Sequence, residues 1–310
     1  MTENQKCYLI PTPAGGAFIK SFFISFNNIV DYKTKVLQLA VLTIGKESAE
    51  MKISDLFEEM SEYFGKLEYG KTCDTYKAGN PENEITKIGI SMFATPDVIR
   101  KCVESNINFL IVHEPVFYNH WDDTLPNDLA KKKKEFIENS KVTVARYHDH
   151  AHIINNDLIY DGEIKFSGLR GKTIKDKIFG VTRFETDEEM TAKELAVLLE
   201  KNLGLKHIRI AGCPDKKGNK ISCCFGTPGH VEEELEKSDF VLTGEICEWA
   251  TGEMARDYAQ LGYNKAILVM GHIGSERAGM MRLCEILKEK HPEIDTKYIE
   301  CEEVYTYTDD

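Results

Sequence analysis

The stretch KIGISMFATPDVIRKCVESNINFLIVHEPVF, residues 87–117, holds a complete β-α-β unit. Residues 87–93 alternate apolar and polar side chains, as a strand does. Thr95-Pro96-Asp97 then supplies an N-cap, a proline at the first helical position and an acid in the first turn. The helix is predicted to run through Val98, Ile99 and Val103 to Asn106, and residues 108–112 read as a second, almost wholly apolar strand. Two strands joined by a helix predict an α/β fold with a parallel sheet. The second strand runs straight into His113-Glu114-Pro115, which sets an imidazole and a carboxylate side by side where the strand ends.

Working outward, residues 125–140 read as a helix whose KKKK, 131–134, forms a solvated face, and residues 142–147 as a third strand. Upstream, MKISDLFEEMSEYF places Ile53, Leu56, Phe57, Met60 and Phe64 at helical spacing. The first fifty residues show no sustained period, only a weak strand or helix over 29–41. Gly45-Lys46-Glu47 can be encoded by a purine run resembling a bacterial ribosome-binding site at a suitable distance from Met51. Residues 1–50 are therefore expected to be an extension, either untranslated or disordered, with Met51 as the start.

Beyond Gly162 the character changes. KFSGLRGKTI and KIFGVTRFETDEE read as short strands with tight turns, and Thr191-Ala-Lys-Glu194 is a capping box that opens a helix. Strands are predicted over 207–211, 220–225 and 239–243, with an acidic helix over 231–237 and another helix over 243–262. A buried strand at 266–270 ends in GHIGSE, followed by a helix over 275–290 and a final strand over 298–305.

Length and composition set the bounds. The chain has 310 residues, of which 42% are hydrophobic, enough for a substantial core. Its net charge of −12 disfavours nucleic acid as a partner. Nine cysteines, an odd number with no C-x-x-C pair and no secretory signal, read as reduced thiols of a cytoplasmic protein. No apolar run is long enough to span a membrane.

Three apolar strands end in histidine: FLIV at His113, VTVARY at His148 and AILVMG at His272. In open α/β sheets, ligands collect beyond the carboxyl ends of strands. Each histidine also has company. Glu114 adjoins His113, YHDHAH offers Asp149, His150 and His152 beside His148, and Glu276 follows His272 by four residues, one helical turn. Imidazoles with carboxylates and no nearby cysteine suit Zn, Fe, Mn or Ni. The candidates exceed what one ion needs, and a carboxylate such as Glu276 can bridge two. His207, His230 and His291 read as surface residues, Cys223-Cys224 as core, and the GTPGH loop, with glutamates behind it, as a poor nucleotide loop.

With MKISDLFEEM, ISMFATPDVI, VHEPVF, YHDHAH, LTGEI and GHIGSERAG in place, the chain from Met51 to about Glu302 resembles the Nif-three-like proteins, also labelled GTP cyclohydrolase I type 2 homologues. The resemblance implies a two-domain α/β fold with mixed sheets flanked by helices, a dinuclear metal centre and a toroidal homohexamer. The metal-binding domain would comprise 51–162 and 241–310, interrupted by a smaller α/β domain at 163–240. His113 matches the first histidine of the family's His-His-Pro, His148 the histidine of its second motif, and His272 and Glu276 its last motif, whose glutamate bridges both ions. Glu114 stands where the family has a second histidine, and His152 where it has an aspartate. The expected metal ligands are therefore His113, Glu114, His152, His272 and Glu276, with Asp149 or His150 as alternatives to His152. His148 is expected near the ions as a proton carrier. Two divalent ions (Zn, Fe or Mn) and a small-molecule substrate point to a hydrolase for a phosphoester or nucleotide-like compound. The alternatives are a non-catalytic metal-binding or metal-delivery protein and a GTP cyclohydrolase-like activity.

Overall fold

A computed structural model describes residues 51–308, apart from 66, 68–69, 154–156, 176–179 and 228. The expectations for residues 1–50 lie outside the described residues. Helix α1, Ile53–Phe64, buries the five apolar residues that its period singled out. Strands β1 (Tyr76–Ala78), β2 (Ile88–Ser91), β3 (Phe109–Val112), β4 (Thr143–Arg146) and β11 (Thr296–Tyr298) make the first sheet, ordered β1-β4-β3-β2-β11. Only β1 is antiparallel to its neighbour. Every residue of β2, β3 and β4 is buried, as in a parallel sheet covered on both faces. Helix α2, Pro96–Glu104, starts as its cap predicts: the Thr95 hydroxyl accepts from the Val98 N–H at 3.1 Å. Helix α3 runs from Asp128 to Ser140.

Residues 165–167, expected to begin a short strand, instead end helix α4, Leu158–Ser167, which is capped by the Asp157 side chain and terminated by Gly168 at φ +74°. It packs on α8, His272–Lys290, which begins at the histidine itself, earlier than its sequence suggests. The crossing is close because both helices present glycine. A Cβ on Gly162 would lie 2.5 Å from Gly279 Cα, and one on Gly279 would lie 2.5 Å from Ile159 Cα. At the far end of α8, His291 is buried rather than at the surface, with Nε2 3.2 Å from Glu59 Oε1 on α1.

The second sheet has six strands: β5 (Gly171–Lys175), β6 (Thr182–Thr191), β7 (Arg209–Gly212), β8 (Lys217–Cys224), β9 (Phe240–Thr243) and β10 (Ala266–Val269). They are ordered β5-β6-β8-β9-β10-β7, with β8, β9 and β10 parallel and the others antiparallel. Alternate residues serve opposite faces. Phe240, Leu242 and Leu268 pack with α5 (Ala192–Leu203), while Val241, Ile267 and Val269 pack with α6 (Val231–Lys237) and α7 (Glu253–Gln260). Strands β9 and β10, expected in the returning part of the metal-binding domain, lie in this second sheet because both pair along their whole length with each other and β9 with β8. The chain returns to the first sheet only after Val269, through α8 and β11, and β11 ends at Tyr298 rather than near 305. The fold is thus α/β, with two mixed sheets flanked by helices. Among the described residues no helix is long and apolar enough to cross a membrane.

Candidate metal centre

The carboxyl ends of β2, β3 and β4 in one sheet and of β8 and β10 in the other meet at one cavity of about 800 Å³. At the end of β3, the His113 and Glu114 N–H groups both donate to the Met92 carbonyl, at 3.2 and 3.0 Å. That shared acceptor bends the chain off the pleat, so that Glu114 lines the cavity while His113 is fully buried beside it. At the end of β4, Asp74 organises the YHDHAH turn. Its carboxylate accepts from the N–H groups of His148, Asp149 and His150 at 2.6, 3.0 and 2.9 Å, and from His150 Nδ1 at 2.6 Å.

His150 is thereby committed to Asp74 and stacks on Tyr147. Asp149 accepts from Thr72 Oγ1 at 2.7 Å and from the Cys73 N–H at 3.0 Å, and holds His148 Nδ1 at 3.0 Å. Burial keeps the Cys73 thiol protonated and a donor to Asp149. Of the three alternatives in that turn, His152 is the one that meets His113. The structure brings His113, Glu114, His148, His152, His272 and Glu276 together; His113 is fully buried, and the other five line the cavity.

The imidazoles are oriented from behind. His113 Nδ1 lies 3.2 Å from the Tyr147 carbonyl, which can only accept, so that nitrogen carries the proton. His152 Nδ1 lies 3.4 Å from Asp157 Oδ2, the same residue that caps α4. Both Nε2 atoms consequently face the centre, 3.2 Å from each other. Two lone pairs at that separation repel unless a proton or a cation lies between them. Tetrahedral coordination with Zn–N bonds of about 2.0–2.1 Å puts two nitrogens about 3.3 Å apart.

Glu276 lies against the same pair. Its Oε1 is 3.7 Å from His152 Nε2, and its Oε2 is 3.7 Å from His113 Nε2 and 3.3 Å from His272 Nε2. That Oε2 is buried without a hydrogen-bond partner. Gly226 makes room for the carboxylate: with φ at +67°, a Cβ there would lie 2.4 Å from Oε1. Gly226 therefore roofs Glu276. His272 closes the other side, with Nε2 2.9 Å from Glu114 Oε1 and Nδ1 2.7 Å from Glu245 Oε1. Arg146, fully buried under the loop, donates from Nε to the His113 carbonyl at 2.9 Å and also to the His120 carbonyl, with Nη2 3.7 Å from Glu114 Oε2.

The electrostatics show a cluster that draws positive charge. Burial opposes ionisation of Glu114, yet the His272 hydrogen bond and the fields of His113 and His272 hold its carboxyl well below the usual range. Burial likewise opposes the charged form of His272, but Glu114 and Glu276 raise it to about 11. His152 is raised to about 9 by Asp157 and Glu276 against its burial. His113, fully enclosed and beside His148, is pushed well below 6.5. Imidazole nitrogens locked by their second nitrogen, with a buried unpartnered carboxylate oxygen between them, suit divalent cations. Three overlapping sets have ligand atoms within 4.8 Å of one another: His113, His148 and His152; His113, Glu114 and Glu276; and Cys73, His148 and Asp149. A cysteine distant in sequence thus does stand beside the histidines, contrary to the sequence reading.

Residues 51–306 match the family Duf34/NIF3 (NGG1p interacting factor 3). The chain belongs to that family. Among curated relatives, a GTP cyclohydrolase 1 type 2 homolog of Clostridium perfringens is 26% identical over 68% of this chain and 81% of its own length. One of the same name from Pyrococcus abyssi is 21% identical over 77% of this chain and 94% of its own. Among solved structures, Staphylococcus aureus protein SA1388 superposes with a TM-score of 0.67 at 16% identity, covering 83% of this chain and 99% of its own. A Bacillus cereus protein related to NIF3 gives the same TM-score at 13% identity, over 83% of this chain and 100% of its own. These likenesses fix the fold as that of the NIF3 superfamily.

Proposed function

We propose that this Duf34/NIF3 protein is a metal-dependent hydrolase holding two divalent ions and acting on a phosphoester or nucleotide-like small molecule. The observation that carries the reading is the His113–His152 pair. Its Nε2 atoms face each other at 3.2 Å with both Nδ1 atoms committed, beside Glu276 Oε2, which makes no hydrogen bond, and His152 and Glu276 line a cavity large enough for a nucleotide-sized ligand. His113 and His152 would hold one ion, Glu114 and His272 the other, and Glu276 would serve both. When bound, such ions polarise a phosphoryl oxygen and make a nucleophile of water at neutral pH.

The chain's own groups supply the rest. Asp149 holds His148 Nδ1, which leaves Nε2 as the proton acceptor on the cavity side. Arg146 fixes the carbonyls of His113 and His120 and so the loop between them. Thr227 and Glu245 orient His272 through Nδ1. The eight described cysteines are free thiols, which supports a reducing compartment such as the cytoplasm.

The test pairs metal analysis with turnover of p-nitrophenyl phosphate and a panel of nucleotides. His148→Gln should keep its metal and lose roughly 10²–10⁴-fold in kcat. Turnover unchanged in that variant, or no hydrolysis of any phosphoester by metal-loaded protein, would contradict the reading.

A further inference from the structure

The lysine run 131–134 does not form one solvated face. Lys131 and Lys132 are exposed, but Lys133 is 8% exposed and lines the same cavity as the ligand cluster. Its Nζ donates to the Val116 carbonyl at 2.7 Å and lies 5.2 Å from the centre of the Tyr118 ring. Val116 is two residues beyond Glu114, and two residues extend at most about 7 Å. The ammonium and the ligand cluster can thus address one small molecule.

No carboxylate among the described residues forms an ion pair with Lys133. Asp122, the acid whose field reaches it most strongly, is already taken. Its carboxylate accepts from the Val116 and Phe117 N–H groups at 3.0 and 2.6 Å and pairs with the buried Lys77 at 3.5 Å. An ammonium carries three N–H donors. Burying it with one hydrogen bond and no anion is costly, which makes a purely structural peg a poor use of a lysine. Burial lowers the group only to about 8, so it stays largely charged at neutral pH.

The loop that faces Lys133 is fixed before any ligand arrives. Asp122 gathers its N–H groups, Arg146 holds the His120 carbonyl, and Tyr118 and Asp122 sit at φ +66° and +54°. Such support holds a binding group in place at little further entropic cost. The wall nearby adds aromatic surface from Tyr118, Phe93 and Phe225.

We propose that Lys133 recognises the anionic group, phosphate monoester or carboxylate, of a small ligand whose apolar body lies against the aromatic part of this cavity. The inference rests on the cavity being the substrate site, and not on the reaction. It is tested by equilibrium binding of phenyl phosphate and of benzoate to the full chain, both metal-loaded and chelator-treated, with Lys133→Met beside wild type. At least tenfold weaker binding of one anion to Lys133→Met in both metal states is expected, with metal content unchanged. Which anion shows the loss separates phosphate from carboxylate. Equal affinity of variant and wild type, no binding of either anion to wild type, or binding that depends on metal and ignores Lys133 would overturn the proposal.

If Lys133→Met does not fold, amine modification of wild type takes its place. The bound anion should protect Lys133 from trinitrobenzenesulfonate while Lys131 and Lys132 react as before, and loss of that contrast would overturn it. Binding that depends on Lys133 without any phosphoester turnover would remove the hydrolase reading and leave this one standing.

Discussion

Gly226 shows how much of the site depends on one missing side chain. A Cβ there would lie 2.4 Å from Glu276 Oε1, and the backbone holds φ at +67°, where side-chain-bearing residues are strained. Gly226→Ala is expected to lose about 1–3 kcal/mol of stability and to reduce metal content by displacing the carboxylate. Thermal melts with metal analysis check both, and a variant with full metal content would remove Gly226 from the account. The residues at strand ends were legible in the sequence because an apolar run stopping at histidine is a short-range pattern. Asp74, Arg146 and Asp157 were not. They act through contacts that no local spacing reveals, such as Asp74 on the His148 N–H, 74 residues away. Lys133 was misjudged for a related reason: in four identical residues, nothing local marks which one turns inward.

The α4–α8 pair carries the clearest effect between elements. Glu163 on α4 accepts from the Ala278 N–H at 3.1 Å, while its Oε2 is buried without a partner. Burial raises this carboxyl to about 8, against the pull of the Ala278 hydrogen bond and Arg277, with Glu276 adding to the rise. The native state therefore keeps a proton that the unfolded chain gives up near its ordinary value of about 4.5. The contribution of Glu163 to stability should fall as pH rises from about 4.5 to about 8 and level off above that, a loss of a few kcal/mol. Glu163→Gln should remove that part of the slope and be the more stable form at pH 8. Denaturant melts across that range check it, and parallel curves for the two proteins would contradict it. The helix itself went unread because GEIKFSGLRG mixes glycines into a short, weakly amphipathic segment. Its packing through Gly162 against Gly279 is a long-range fact that outweighs local propensity.

At the scale of the whole molecule, the β-α-β unit and its parallel β2–β3 pair follow from the 87–117 stretch. The boundary between sheets was harder to place, because β9 and β10 are short apolar runs that would suit either sheet. Their partners, rather than their composition, decide it. Protein beginning at Met51 is expected to fold and assemble as the full chain does, since the first fifty residues show no sustained apolar period that would build a core. Thermal melts and light scattering of the two forms check this, with a homohexamer as the assembly that the resemblance implies. Loss of folding or assembly in the short form, or a monomer at micromolar concentration, would contradict the expectation. The central claim is the shared carboxylate, and metal stoichiometry by native mass spectrometry tests it most directly. Glu276→Ala should retain neither ion, because in the proposed centre Glu276 serves both, whereas Glu114→Ala should lose chiefly one. Two ions retained by Glu276→Ala, or none lost from Glu114→Ala, would contradict a two-ion centre bridged by Glu276.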